Sequence, residues 1–301
     1  MRNEHRSSGR SGIALAAAGG VAFGTLSIFA KLAYGAGATA LPLLAFRFAV
    51  ATVMLAFLHL VTRRPLALGR RDTLRLLVLG GLGYGFEAAL FFLALEHAPA
   101  GVIGLIFYSY PLWTYVLGLA TGLERFRWRV LAALVLGTAG VASIFTVTGT
   151  GLAGPLLALG AALSVAVYLL LAQVVMRGIP ALTSALWTGT GAAITVGAVA
   201  VAAGWNFPTG ALVPAGALGV ASGVAFALLY AAIARIGSAR SSIANMVEPV
   251  TTLALAWIIL GENLTLRIAV GAVLVVSALP ILAAAQSRDE RSRDAALVVR
   301  D

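Results

Sequence analysis

Arginine occupies alternate gaps between long apolar runs, and this alternation constrains the chain more than any other feature. Ten runs, over 12–33, 38–61, 74–96, 101–121, 128–147, 153–175, 182–203, 212–234, 241–260 and 267–285, are long enough to cross a bilayer as helices. A helical span takes about 20 mostly apolar residues. The runs are apolar continuously rather than at every second residue, which excludes the strands of a closed barrel. Of 21 Lys and Arg residues, eighteen fall in the tails or the even-numbered gaps. Arg2, Arg6 and Arg10 precede span 1, and Arg63, Arg64, Arg70 and Arg71 separate spans 2 and 3, with Arg75 at the boundary of span 3. Arg125, Arg127 and Arg129 follow span 4, Arg177 follows span 6, and Arg235 and Arg240 follow span 8. Arg288, Arg291, Arg293 and Arg300 lie in the last tail. Only Arg267 stands on the other side, while Lys31 and Arg47 lie inside spans. Positive loops face the cytoplasm, so both termini are expected there, as an even number of spans also requires.

Composition agrees. Charged residues are 11% and hydrophobic residues 60% of the chain, with a mean hydropathy of +0.98; a soluble protein carries about 25% charged residues. No soluble domain of normal size fits beside ten spans. The net charge of +10 is scattered over short loops without a contiguous basic face, so no nucleic acid partner is expected; the bilayer is the surrounding instead. There is no Cys, hence no disulfide, thiolate metal site or Cys nucleophile. His5, His59 and His97 are too far apart for a local zinc motif, and no metal or cofactor is expected. The run from Gly12 to Ala33 is too long for the apolar core of a typical signal peptide. Arg far outnumbers Lys and Ala and Gly are abundant, which suggests a GC-rich bacterial genome.

The chain repeats itself at an offset near 138 residues. Tyr110-Pro111-Leu112 aligns with Glu248-Pro249-Val250, Glu124 with Glu262, and Arg129 with Arg267. Gly81 and Gly85 align with Gly219 and Gly223. At 142, Gly12 aligns with Gly154 and Lys31 with Gln173. The expected organisation is a tail over 1–11, a five-helix repeat over 12–147, a second over 153–285, and a tail over 286–301. Five is odd, so the second repeat enters the membrane inverted. Inverted repeats are a common transporter architecture, with a midplane site and alternating access by one bundle rocking against the other.

Glu248-Pro249-Val250 followed by Gly261-Glu262, with Arg47-Phe48 in span 2 and Gly271 in span 10, resembles the EamA-type members of the drug/metabolite transporter superfamily. The resemblance covers almost the whole chain. Span 1 departs from it: many members carry Trp-Gly where this chain has Phe23-Gly24. The resemblance implies export of small metabolites, including amino acids, across the bacterial inner membrane. In overall likeness the chain resembles aromatic amino-acid exporters of the YddG type.

Proline removes a helix hydrogen bond and clashes with the carbonyl four residues earlier. Pro249 therefore disturbs Asn245 and Pro111 disturbs Phe107, and paired broken helices point to a hinge or a site. Charges inside a membrane usually face the bundle interior. Glu87 and Arg47 lie at similar depth and are expected to pair or to flank the cavity together, with Arg47 a structural charge. Glu87 follows the run Gly80-Gly81-Leu82-Gly83-Tyr84-Gly85, which allows close backbone approach; no βαβ unit surrounds it, so it is not a nucleotide fingerprint. Tyr84, Tyr108, Tyr110, Trp113, Tyr168, Trp187, Ser222 and Tyr230 supply rings and hydroxyls suited to an amphipathic solute, and Glu248 joins them. Lys31 is expected to snorkel, Glu124 and Glu262 to cap or pair with arginine, and Trp128 and Trp205 to sit in aromatic belts. His59 and His97 lie at span ends. Spans 5 and 10, with Gly137, Gly140 and Gly271, are expected to support the bundle.

The function expected is secondary export of small amphipathic metabolites, chiefly amino acids. No Walker motif is present, so no ATP-driven engine is built in. Glu87 and Glu248 could couple transport to protons, whereas facilitated diffusion needs no coupling. The alternatives are export of drugs, nucleosides or sugar derivatives and, in another class, a membrane-embedded lipid-modifying enzyme, which would want polar residues clustered at one interface.

Overall fold

The computed structural model describes residues 2–62, 68–97, 106–144 and 151–260, with residue 266 and residues 270, 273, 274, 277 and 281 of the last span. The described secondary structure is all helical. Among the described residues, seven helices are long and apolar enough to cross a membrane: Gly9–Gly35, Ala40–Thr62, Arg70–Phe91, Ala153–Val175, Ala181–Ala202, Thr209–Ile236 and Ser238–Ile259. They fall on expected spans 1, 2, 3, 6, 7, 8 and 9. Span 5 is the shorter helix Trp128–Ile144, and span 4 contributes Tyr110–Ala120. The start of span 4, Gly261-Glu262, Arg267, Gly271 and most of span 10 lie outside the described residues. The first helix runs back to Arg2.

Turns between spans are short, and one is minimal. Span 8 ends at Ile236 and span 9 begins at Ser238, leaving only Gly237 at φ 80°. A residue with a Cβ rarely adopts that conformation. The Gly237 N–H donates to the Ile233 carbonyl at 2.9 Å, and the Ser238 N–H donates to Gln173 Oε1 at 2.5 Å.

The halves do not stand as two lobes. Span 1 packs on spans 8 and 9, span 2 on 7 and 8, span 3 on 6 and 7, and span 4 on 6 and 9. Followed around, these contacts close a ring in the order 1, 8, 2, 7, 3, 6, 4, 9, with the halves alternating at every step. Exchanging each span with its repeat partner, five further on, returns the same ring in reverse. That is the signature of an in-plane two-fold axis, passing between spans 4 and 9 and between spans 2 and 7. Each first-half span of the ring is thereby wedged between second-half spans. Span 5 lies outside the ring, packed through Val130, Ala133 and Leu134 with Ile13, Tyr115 and Ile243.

The repeated glycines are the seats of this packing. A Cβ on Gly81 of span 3 would meet the Thr195 side chain and the Gly191 carbonyl of span 7. A Cβ on Gly219 of span 8 would meet Val50 and the Arg47 carbonyl of span 2. Spans 3 and 7 correspond to 8 and 2, so these are one contact used twice. Without a hydrophobic drive between helices in lipid, such close backbone approach is a main source of association. Gly191 sits against the Leu77 carbonyl, backbone that cannot rotate away, whereas Gly197 on the same helix faces open space. Overpacking costs about 1–3 kcal/mol; thermal unfolding in detergent should show a loss of that size for Gly191→Ala and none for Gly197→Ala.

Candidate functional site

Among the described residues, four spans are interrupted within their length. Span 1 breaks at Thr25, between helices Arg2–Gly24 and Leu26–Gly35. Span 3 winds as a π-helix over Leu79–Tyr84, closed by the Gly85 N–H bonding the Gly80 carbonyl. Span 4 turns at Tyr108-Ser109, just before Pro111, and span 9 at Asn245-Met246, just before Pro249. The last two breaks are 137 residues apart, matching the repeat. Each is repaired from within. The Thr25 hydroxyl donates to the Ala22 carbonyl at 2.7 Å, and that of Ser109 to the Ile106 carbonyl at 2.6 Å. The Asn245 carbonyl, disturbed by Pro249, accepts the Glu248 N–H at 2.9 Å. Thr252 of span 9 donates to the Gly24 carbonyl of span 1 at 3.0 Å. Gly20 and Gly24 let span 1 lie on the span 9 break; Cβ atoms there would come within 2.8 Å of the Asn245 and Glu248 carbonyls.

All four interruptions border one cavity of about 190 Å³. Irregular backbone at membrane depth is tolerated only where it is buried or lines such a space. The wall takes Phe23 and Ser27 from span 1, Arg47 from span 2, and Tyr84, Glu87 and Phe91 from span 3. Phe107, Tyr108 and Tyr110 come from span 4, Tyr168 from span 6, and Ser242, Asn245 and Glu248 from span 9. Tyr84, Glu87 and Phe91 are three and four residues apart and so share one helix face.

The charges sit in distinct settings. Arg47 donates from Nε to Ser222 Oγ at 2.7 Å and from Nη2 to Tyr84 Oη at 2.9 Å. It thereby ties span 2 to span 8 and to the π-helix, and it still faces the cavity. The Asn245 amide nitrogen lies 3.0 Å from Glu248 Oε2 and 3.3 Å from Tyr110 Oη, bridging the two proline breaks. The Tyr108 hydroxyl also hydrogen-bonds Glu248. Glu87 is 5% exposed, and Arg47 and Glu248 act on it through space rather than by a hydrogen bond.

Of the residues singled out from the sequence, the cavity gathers Tyr84, Glu87, Tyr108, Tyr110, Tyr168, Glu248 and Arg47. Four stand outside its lining. Ser222 holds Arg47, and Tyr230 shares a 2.7 Å hydrogen bond with Tyr168. Trp113 donates from Nε1 to Ser109 Oγ at 3.1 Å, bracing the span 4 break. Trp187 packs on the core. Pro111 and Pro249 sit immediately after their breaks. Asn245 was foreseen only through its carbonyl, although a lone amide inside an apolar run is itself a signal. Phe91 and Phe107 look like ordinary core in sequence. No described residue of span 5 lines the cavity. Trp128 and Trp205 are exposed at span edges, and His97 is exposed. His59 is buried, with neither ring nitrogen bonded among the described residues. Beyond the spans, burial raises the Glu124 carboxyl above its usual range, opposed by Arg240 and Arg127.

A repeated all-helical chain with several helices long and apolar enough to cross a membrane, enclosing a largely apolar cavity that carries two carboxyls and a guanidinium, has the form of a multi-pass membrane transporter. The family comparison agrees: the EamA-like transporter family matches twice, over residues 10–146 and 152–283. The chain belongs to the EamA-like transporter family, as two copies of its repeat. A crystal structure of a protein shares the fold at a TM-score of 0.78 and 20% identity, covering 90% of this chain and 98% of that one. No curated protein matches the sequence.

Removing the Arg47 guanidinium should cost stability as well as function. Hydrogen bonds to a charged group contribute about 1.5–3 kcal/mol, and Arg47→Met loses two. Its thermal unfolding should fall well below that of Tyr230→Phe, which loses one neutral bond of about 1 kcal/mol.

Proposed function

We propose that this protein is a secondary exporter of small amphipathic metabolites, chiefly amino acids including aromatic ones, similar in type to the YddG exporters. It sits in the bacterial inner membrane with both termini cytoplasmic, and substrate passes by alternating access through the central cavity. The observation that carries this reading is the cavity itself, where rings, two carboxyls and one guanidinium converge at the points where four helices are broken. Rings pack against an apolar side chain, while charged and hydroxyl groups orient a polar head. Its volume of about 190 Å³ is below the roughly 300–1,000 Å³ of drug-sized pockets, which favours solutes of amino-acid size over drugs, nucleosides or sugar derivatives. The carboxyls lie at mid-depth rather than at one interface, which weighs against a lipid-modifying enzyme.

In an interlocked ring, access changes by bending within spans. The breaks before Pro111 and Pro249 are the hinges, joined across the axis by Asn245. Glu87 and Glu248 supply the groups through which a proton gradient could drive export.

Liposome counterflow tests the reading. Amino-acid exchange should exceed that of empty liposomes, and Glu87→Gln and Glu248→Gln should each lower it while expressing normally. Loss of one charge-assisted interaction of about 1.5–3 kcal/mol corresponds to roughly 10- to 150-fold. Wild-type-like flux in both variants would remove them from the path. A reporter fused after Arg300 should read cytoplasmic; an external signal would overturn the orientation.

A further inference from the structure

The polar groups lining the cavity are unequally committed. Arg47 is held by Ser222 and Tyr84, and Glu248 by Asn245 and Tyr108. Glu87 lines the same cavity at 5% exposure, and among the described residues no donor bonds its carboxyl. A carboxyl that faces a cavity with no hydrogen-bond donor of its own among the described residues gains from a donor that enters it.

The surroundings identify that donor's charge. Two carboxyls face one guanidinium, so with both ionised the cavity holds one unmatched negative charge, which a proton or a cationic head group balances. Tyr84 and Phe91 flank Glu87 on its own helix face, and Phe91 stacks edge-on with Phe107 at 4.7 Å. Aromatic faces attract cations, and the same rings accommodate an apolar group. Resting on the transport reading above, we propose that Glu87 anchors the ammonium of the solute, and that the cavity selects aromatic or bulky apolar primary amines. The amine is required and a carboxylate is dispensable. An α-amino acid fits because it carries the amine.

Three probes share one ring and differ in head group: phenethylamine, L-phenylalanine and 3-phenylpropionate. Their binding to the full chain in nanodiscs is measured by calorimetry. Phenethylamine should bind within about threefold of L-phenylalanine or more tightly, and 3-phenylpropionate at least about tenfold more weakly, as expected when one partner of a buried charge pair is missing. Glu87→Gln should weaken both amines at least about tenfold without weakening 3-phenylpropionate. Because the carboxyl has no internal hydrogen bond to lose, the ligand-free variant should unfold at or above the wild-type temperature, whereas a structural role predicts a lower one. Equal binding of 3-phenylpropionate, no binding of any probe, or unchanged amine affinity in Glu87→Gln overturns the proposal. If the amines fail to bind while liposomes exchange some other solute, the anchor falls and the transport reading stands. If they bind but nothing is exchanged, the transport reading falls and the anchor stands.

Discussion

The hydrocarbon interior supplies no water to bond a stray N–H or C=O, and the arrangement of this protein follows from that. A helix may break within the membrane only where other groups take over its lost bonds. Here short hydroxyl side chains do so, at Thr25, Ser109 and, across to span 1, Thr252. Those repairs are local, so a break can be placed wherever a turn of backbone is wanted facing inward. All four described breaks are placed around one cavity. The π-helix in span 3 belongs to the same logic. One extra residue per turn re-aims the helix face that follows, and it is that face which carries Tyr84, Glu87 and Phe91 to the wall. Such turns are rare and concentrate at functional sites.

The alternating ring explains why two inverted halves can make one site. The two-fold axis runs between spans 4 and 9, so the breaks before Pro111 and Pro249 face each other, close enough for Asn245 to bond both Tyr110 and Glu248. The symmetry is then broken where chemistry is needed. Span 6, partner of span 1, is one continuous helix over Ala153–Val175. Span 8, partner of span 3, is continuous over Leu212–Ile236. Arg47 and Glu87 come from the first half and Glu248 from the second. A scaffold laid down by duplication thus carries a cavity with no internal symmetry, as a solute with different ends requires.

Much of this was legible in the sequence because the membrane leaves few options. Apolar run length marks spans, and seven described helices fall on them. Proline chemistry located two breaks to within a residue or two, and the glycine repeat pointed at contacts the ring uses twice. What could not be read depends on side chains meeting across the fold. Nothing local distinguishes Thr25, whose hydroxyl permits a break, from a threonine in a straight helix such as Thr190, which bonds its own Leu186 carbonyl. The π-helix was hidden because a glycine-rich run is equally compatible with α-helix. The ring order was hidden because an inverted repeat specifies symmetry but not which spans touch. Ser222 and Tyr230 were expected in the cavity as hydroxyl groups in apolar runs; they stand outside its lining and bond Arg47 and Tyr168 instead.

Arg47 shows why a structural and a functional role are poor alternatives inside a membrane. A guanidinium there is tolerable only if its donors are bonded, and the bonds to Ser222 and Tyr84 meet that need. The same bonds set the guanidinium plane, because the fork geometry of Arg leaves little freedom once two of its donors are fixed. The cavity's positive charge is therefore positioned by contacts that also clamp span 2 to span 8 and to the π-helix. Glu248 is held in the same manner by Asn245 and Tyr108. Glu87 alone has no such partner among the described residues, so of the three buried charges it is the one whose electrostatic demand the fold leaves for a solute to meet.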